Sequence, residues 1–594
     1  MTLRISLLVL LFASLTPAAA QQPRFQQQVH YRIEARLEEG SDVLHGRARM
    51  SYGNRSTQAL DTLYFHQHLN AFRPNSAWAR REMAFGVTRF QELGPDAHGF
   101  ERFVSLTVDG QPVRVTYPFA PDSTVAAVAL PRPLAPGADA VVDMEWEARL
   151  ATIPRRQGRS GRHFDWAHWY PRIAVYDRTG WAHHPLLPQG EFYGEFADYD
   201  VTLDLPADQV VGSTGVPVEG DPGYTVDASE RSSYPATAAT PLGLLSEAAP
   251  GRKQVRWRAD RVIHFAWSAD PAYRHEGVTR FSLDEGGSRT ELPSIHVFFL
   301  PGDTAWDERA AATRTLEALT WIQGRFGPYP YPQLTNLHRL EGGGTEFPMM
   351  VMNGNAGRGL IVHEVTHQWL HGVLANNEWR QGWLDEGFTS FITNWYAEAH
   401  GDTAAWLGTM RTLERLERAD STAVIDQPGE AFASPRMYTA MTYTKTSAVF
   451  RMLRDLIGEQ AFDAALRRYY DEHRLSHVTG ADFQAAAEAA SSRDLDWFFG
   501  QWFHRTDRLD YGIASASTTQ RADGRWQTRV EVLRLGSAWM PVTLAASGVE
   551  RRLDGRDRRQ VVTLITAHRP AEVVLDPEWI LIDPDRSNNR VALP

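Results

Sequence analysis

Hydrophobic periodicity changes twice along this chain, and that pattern limits the possible folds more than any other feature of the sequence. From Gln21 to about Val262, short segments with strand character dominate, among them Gln28–Glu38, Val43–Tyr52, Ala140–Leu150 and Tyr199–Leu205. Turn residues such as Pro121-Asp122-Ser123 and Gly220-Asp221-Pro222-Gly223 separate them. After further strands at Val262–Trp267 and Ile295–Leu300 the apolar spacing becomes helical, over Trp306–Phe326, Leu360–His371, Trp383–His400, Thr403–Ala419, Tyr438–Ile457 and Ala461–Tyr470. Alternation returns from Ile513 onward, in Thr528–Leu533, Met540–Ala545, Gln560–Ile565, Glu572–Leu575 and Ile580–Ile582. The expected architecture is multidomain α+β: an N-terminal β domain over 21–261, a mixed domain over 262–510 and a β-sandwich over 511–594. No internal repeat interrupts that order.

The first twenty residues place Arg4 before an apolar run from Ile5 to Leu15 and end on Ala18-Ala19-Ala20. This reads as a signal peptide over 1–20, which makes the chain an exported one, periplasmic or extracellular. No segment is long and apolar enough to span a bilayer. The chain has no cysteine, so disulfides, thiolate metal sites and cysteine nucleophiles are excluded. Any metal must be held by histidines and carboxylates. Losing the leader takes the formal net charge from −11 to −12, and that sign argues against nucleic acid as partner. The 19 tryptophans and 19 tyrosines read as core and strand packing rather than a carbohydrate platform. Oligomeric state leaves no mark in the sequence.

Inside the helical segment Leu360–His371 lies His363-Glu364-Val365-Thr366-His367, an H-E-x-x-H motif. Residues four apart on a helix differ by about 40° in azimuth, so both imidazoles leave one face, one turn apart. That presets two ligands for one Zn²⁺ per chain, while Glu364 can reach the attacking water without binding the metal. Eighteen residues after His367 comes Glu386, in Trp383-Leu384-Asp385-Glu386-Gly387-Phe388-Thr389. A second helix folding back across the first brings its carboxylate to the third ligand position and leaves the fourth open.

His363-Glu364-x-x-His367, the eighteen-residue gap and Glu386, with Trp369 and the W-L-D-E-G-F-T string, resemble the M1 (gluzincin) aminopeptidases. Other segments share the likeness. Gly343-Gly344-Thr345-Glu346-Phe347-Pro348 resembles the family's G-x-M-E-N exopeptidase loop, and Met441-Thr442-Tyr443-Thr444-Lys445 its Y-x-K-G segment. The resemblance implies a saddle-like N-terminal β domain, a thermolysin-like catalytic domain and a C-terminal β-sandwich. It further implies that Glu346 binds the substrate's α-amine, that the backbone at Gly343 and Gly344 pairs with the peptide, and that Tyr443 donates to the oxyanion. Tyr438, five residues earlier, is about 140° away on a continuous helix, so the two phenols are not expected to face the metal together. Thr345, Phe347 and Thr446 stand where the family has Met, Asn and Gly. The second amine anchor that the family draws from its β domain has no counterpart at the expected offset, and Asp165 is the nearest acid.

The expected function is hydrolysis of N-terminal residues from peptides with a free N-terminus. Two alternatives share the scaffold: an endopeptidase or dipeptide-releasing enzyme, and a silent binding protein that kept the fold.

Overall fold

The computed structural model describes residues 24–594, apart from 191, 236, 239, 240, 247, 279, 280, 284–288, 292, 308 and 403. The expected leader and Thr403 therefore lie outside the described residues.

The N-terminal part is organised on an eight-stranded sheet. Gln28–Glu38 lies near its middle, antiparallel to Val43–Gly53 on one side and parallel to Ala197–Pro206 on the other. Val29, Tyr31, Ile33, Ala35 and Leu37 are buried along the first strand, which is the period of two that the sequence carries. Asp139–Arg149, beside Val43–Gly53, likewise buries Ala140, Val142, Met144, Trp146 and Ala148. Each large side chain hidden this way contributes roughly 1.5–3 kcal/mol. Two four-stranded sheets add an aromatic layer in which Trp166 stacks on Trp267 at 5.5 Å and Trp169 meets Trp267 edge-on at 6.2 Å. These three tryptophans are core.

A five-stranded sheet follows, in the order Arg274–Val278, Ser294–Phe299, Gln333–His338, Met350–Asn353 and Gly344–Thr345. The last is a short edge strand, antiparallel to Met350–Asn353. The helix Ala310–Phe326 buries Ala311, Thr315, Leu316, Ala318, Leu319 and Ile322, a stripe at helical spacing. It packs on the helix Arg358–Thr366, which also contacts Met350–Asn353 and the helix Phe388–Ala399. The H-E-x-x-H helix thus has neighbours on several sides and cannot tilt freely.

At the C-terminus, a three-stranded sheet (Tyr511–Gln520, Trp526–Arg534, Arg559–Thr566) and a four-stranded one (Val549–Leu553, Val542–Ala546, Glu572–Leu575, Arg590–Ala592) share one core through Val530, Val562, Leu544 and Val573.

Two expected strands are absent. Val262–Trp267 is split between the end of Arg252–Val262 and the start of Trp267–Asp270, because the backbone between them bonds elsewhere. Trp169 Nε1 donates to Phe265 O at 2.9 Å, and Thr214 Oγ1 accepts from Ala266 N at 3.2 Å. Ile580–Ile582 is a loop: the amides of Ile580 and Leu581 each donate to the Asp576 carboxylate at 2.9 Å instead of joining a ladder.

Candidate active site

His363 sits in the last turn of Arg358–Thr366, and His367 caps it. Their Nε2 atoms are 3.2 Å apart. Glu386 arrives on Trp383–Gly387, a π-helical turn that leads into Phe388–Ala399. Its Oε2 lies 3.1 Å from His363 Nε2 and 3.4 Å from His367 Nε2. Three ligands at about 2.0–2.1 Å from a tetrahedral zinc stand about 3.3–3.4 Å from one another, so this triangle fits that ion. The rings are oriented for it as well. His367 Nδ1–H donates to Leu370 O at 3.1 Å and lies 2.6 Å from Asp385 Oδ1, which leaves the Nε2 lone pair toward the triangle. Burial works against the charge on Glu386, yet His367 and His363 hold its carboxyl well below the usual range.

Glu364 projects beside the triangle with one carboxylate oxygen buried and without a hydrogen-bond partner among the described residues. Burial pushes its carboxyl up to about 7; the two histidines pull it down, and Glu346 and Glu386 push it further up. The edge strand presses on it. A Cβ at Gly344 would stand 1.9 Å from Glu364 Oε1, so only glycine lets the strand come this close.

Tyr443 lines the cavity at the triangle and Tyr438 does not, as expected, but their rings lie closer together than a regular helix would set them. The chain runs from the helix Pro435–Thr439 through a π-helical stretch, Ala440–Lys445, into Thr446–Ile457. The wider turn brings the two rings to one side, with centroids 6.1 Å apart, where a regular helix separates them. Tyr443 Oη donates to Glu386 Oε1 at 2.6 Å. The Tyr438 hydroxyl has no hydrogen-bond partner among the described residues and lies against Gly382. Burial, then the nearby Glu386 charge, keep both phenols well above their ordinary value and therefore protonated.

Glu346 is buried, and its Oε1 has no hydrogen-bond partner among the described residues. Together with Gly343, Gly344, His363, Glu364, Glu386 and Tyr443 it lines one cavity of about 500 Å³. Asp165 does not line that cavity. It accepts from Ser268 Oγ at 2.8 Å and from Leu340 N at 3.0 Å, and pairs with His163 Nε2 at 3.0 Å. It secures the root of the 341–346 loop. Arg155 and Arg156, which no sequence motif marks, line the cavity from the N-terminal part.

Residues 352–502 match the peptidase family M1 domain. That stretch, about a quarter of the chain, is similar to the M1 peptidases. Aminopeptidase N of Escherichia coli is 31% identical over 151 residues, which are 25% of this chain and 17% of that protein. Aminopeptidase M1 of Arabidopsis thaliana is 26% identical over 206 residues, 32% of this chain and 22% of that protein. The chain spans about a fifth of the length of these curated relatives. Two solved structures show the same fold. Legionella pneumophila aminopeptidase A, in complex with aspartic acid, has a TM-score of 0.62 at 16% identity, over 96% of this chain and 60% of that one. A mutant M1 zinc metallopeptidase from Deinococcus radiodurans has a TM-score of 0.54 at 15% identity, over 80% and 94%. The M1 match encloses His363, Glu364, His367, Glu386 and Tyr443, while Glu346 lies just before it.

Proposed function

We propose that this chain is an exported zinc aminopeptidase that removes N-terminal residues from peptides. One observation carries the reading: His363 and Glu386 of the His363–His367–Glu386 triangle line one cavity together with Glu364 and Glu346. Zinc held by the three ligands supplies a Lewis acid that polarises the scissile carbonyl and lowers the pKa of water toward ~7. Glu364 accepts the proton of the attacking water and passes it to the leaving amine, a role suited to a carboxylate whose affinity for protons burial has raised. Tyr443, protonated and aimed into the same cavity, donates to the developing oxyanion. Glu346 takes the α-ammonium by a charge-assisted hydrogen bond, so only the first peptide bond reaches the metal. The open edge of Gly344–Thr345 is where the substrate backbone pairs.

The test is turnover on free and N-acetylated aminoacyl amides, with and without chelator, for wild type and Glu364→Gln. Cleavage of free amides that stops with chelator, and a metal-replete Glu364→Gln slowed ~10²–10⁴-fold, is the expected result. Equal cleavage of acetylated and free substrates would move the protein to the endopeptidase class. Zinc binding without any turnover would make it a binding protein.

A further inference from the structure

A cation stands beside the carboxylate assigned to the α-ammonium. Arg156 belongs to a turn that Glu341 clamps: Arg155 Nη1 donates to Glu341 Oε1 at 2.6 Å, and Arg156 N to Oε2 at 2.6 Å. The clamp holds Arg156 at φ 59°, a left-handed conformation that non-glycine residues avoid. From there the guanidinium lies over the Phe192 ring, 5.2 Å from its centroid, and Nη1 is 3.8 Å from Glu346 Oε1. That separation is an ion-pair contact longer than a hydrogen bond. The Arg156 side chain keeps 16% of its surface exposed, and the exposure belongs to the cavity it lines with Glu346, Glu364 and Tyr443. Burial works against its charge, yet Glu346, Tyr443, Glu341 and Glu386 together hold the guanidinium protonated.

We propose that Arg156 is a specificity-determining residue which, paired with Glu346, receives an acidic first residue: Glu346 takes the α-ammonium and Arg156 the side-chain carboxylate of an N-terminal aspartate or glutamate. The inference rests on the aminopeptidase reading. Once the α-ammonium is on Glu346 and the first carbonyl is at the metal, only the first residue's own side chain remains on this side of the scissile bond. Whatever meets Arg156 belongs to that side chain. In aspartate and glutamate the two charges are about 3–5 Å apart, which matches the 3.8 Å between their partners. The four charges then alternate in sign around a closed ring. A neutral side chain leaves Arg156 with nothing gained on binding, and a basic one faces it with like charge.

The experiment compares kcat/KM for glutamyl and glutaminyl amides, which differ in side-chain charge and hardly in shape, in wild type, R156Q and R156K. A hydrogen bond to a charged group distinguishes them by about ten- to a hundred-fold. Wild type should prefer the glutamyl amide by that factor, chiefly through KM. R156Q should bring the ratio to within about threefold of one, and R156K should restore part of it. Equal use of both amides by wild type, or a ratio that survives in R156Q, overturns the proposal and leaves Arg156 as a neutralising partner for Glu346. Should no amide with a free N-terminus be turned over, the aminopeptidase reading itself fails. Calorimetric binding of L-glutamate against L-glutamine to zinc-loaded wild type then still decides the role of Arg156, and equal affinities refute it. The same wild-type comparison serves if R156Q does not fold.

Discussion

Replacing Gly344 by alanine adds one methyl group at the point where the edge strand meets the proposed base. An added Cβ would stand 1.9 Å from Glu364 Oε1, 2.1 Å from Cδ and 2.4 Å from Cγ. Restoring ordinary contact at about 3.5 Å requires about 1.5 Å of relative movement. Neither side yields cheaply. Gly344 O accepts from the buried Arg339 guanidinium at 2.9 Å and its strand is paired with Met350–Asn353, while Glu364 is 3% exposed and lies on a helix packed from several directions. A misplacement of 1 Å near the reacting atoms costs about a hundredfold, and loss of a general base ~10²–10⁴-fold. Gly344→Ala should therefore lower kcat/KM by about 10²–10⁴, roughly 3–5 kcal/mol in barrier, with zinc content unchanged because no ligand is touched. Gly342→Ala is the control on the same loop, since, its chain neighbours aside, none of the described residues lies within 4 Å of its added Cβ; it should stay within a few-fold of wild type. The assay is steady-state turnover of an aminoacyl amide with metal content and Tm measured alongside. A metal-replete, folded Gly344→Ala at near-wild-type rate would refute both the close approach and the role given to Glu364.

Tyr443→Phe should lower kcat by about 10²–10³ and keep zinc, because an oxyanion donor acts in the transition state; Tyr438→Phe, whose hydroxyl has no hydrogen-bond partner among the described residues and which does not line the cavity, should stay within a few-fold. Equal losses in the two variants would reassign the donor. Asp385→Ala should weaken zinc binding by about ten- to a hundred-fold, since Asp385 stands 2.6 Å from Nδ1 of His367 and partners of that kind fix ring orientation; a chelator competition that finds no change excludes it. His163 gives a pH signature. Burial disfavours its charge, but Asp165 and Asp270 raise its pKa to about 9. A folded value above the unfolded ~6.5 contributes stability that is complete below ~6.5 and is lost as pH rises through 9. Tm of wild type should fall across that window more steeply than Tm of His163→Gln, and parallel curves would contradict the pairing.

The parts of the site that lie on one regular element were legible. H-E-x-x-H is a statement about helical azimuth, and the structure brings His363 and His367 to 3.2 Å. Glu386 was legible because its string opens a helix at a spacing that the metal requires, and the Gln28–Glu38 strand because alternation continues through all of it. What failed did so where side chains, not the ladder, take the backbone bonds. Val262–Trp267 and Ile580–Ile582 have apolar strand-like composition, but Trp169 and Thr214, distant in the chain, and Asp576, a few residues before its partners, claim their amides and carbonyls. Arg156 was illegible for a related reason. Its position depends on Glu341, a residue far along the sequence, holding a turn that has no pattern of its own.

The closeness of the Tyr438 and Tyr443 rings has a more specific cause. An azimuth of 100° per residue is valid only where each turn closes after four residues, and two turns at this site close after five: Trp383–Gly387, which carries Glu386, and Ala440–Lys445, which carries Tyr443. The two π-helical turns pack on each other. A Cβ on Gly387 would meet Thr442 O at 2.3 Å and the Thr446 Cγ2 at 2.4 Å, so the pair is in contact at a position only glycine tolerates. The turns are widened together, and that widening points Glu386 at the histidines while setting Tyr443 Oη against the far oxygen of the same carboxylate, at 2.6 Å. A regular α-helix in either place would rotate one of the two out of reach. The residues that hold the metal and the phenol that serves the oxyanion are thus positioned by one packing contact, whose stability comes from tertiary neighbours and leaves no periodic trace in either segment.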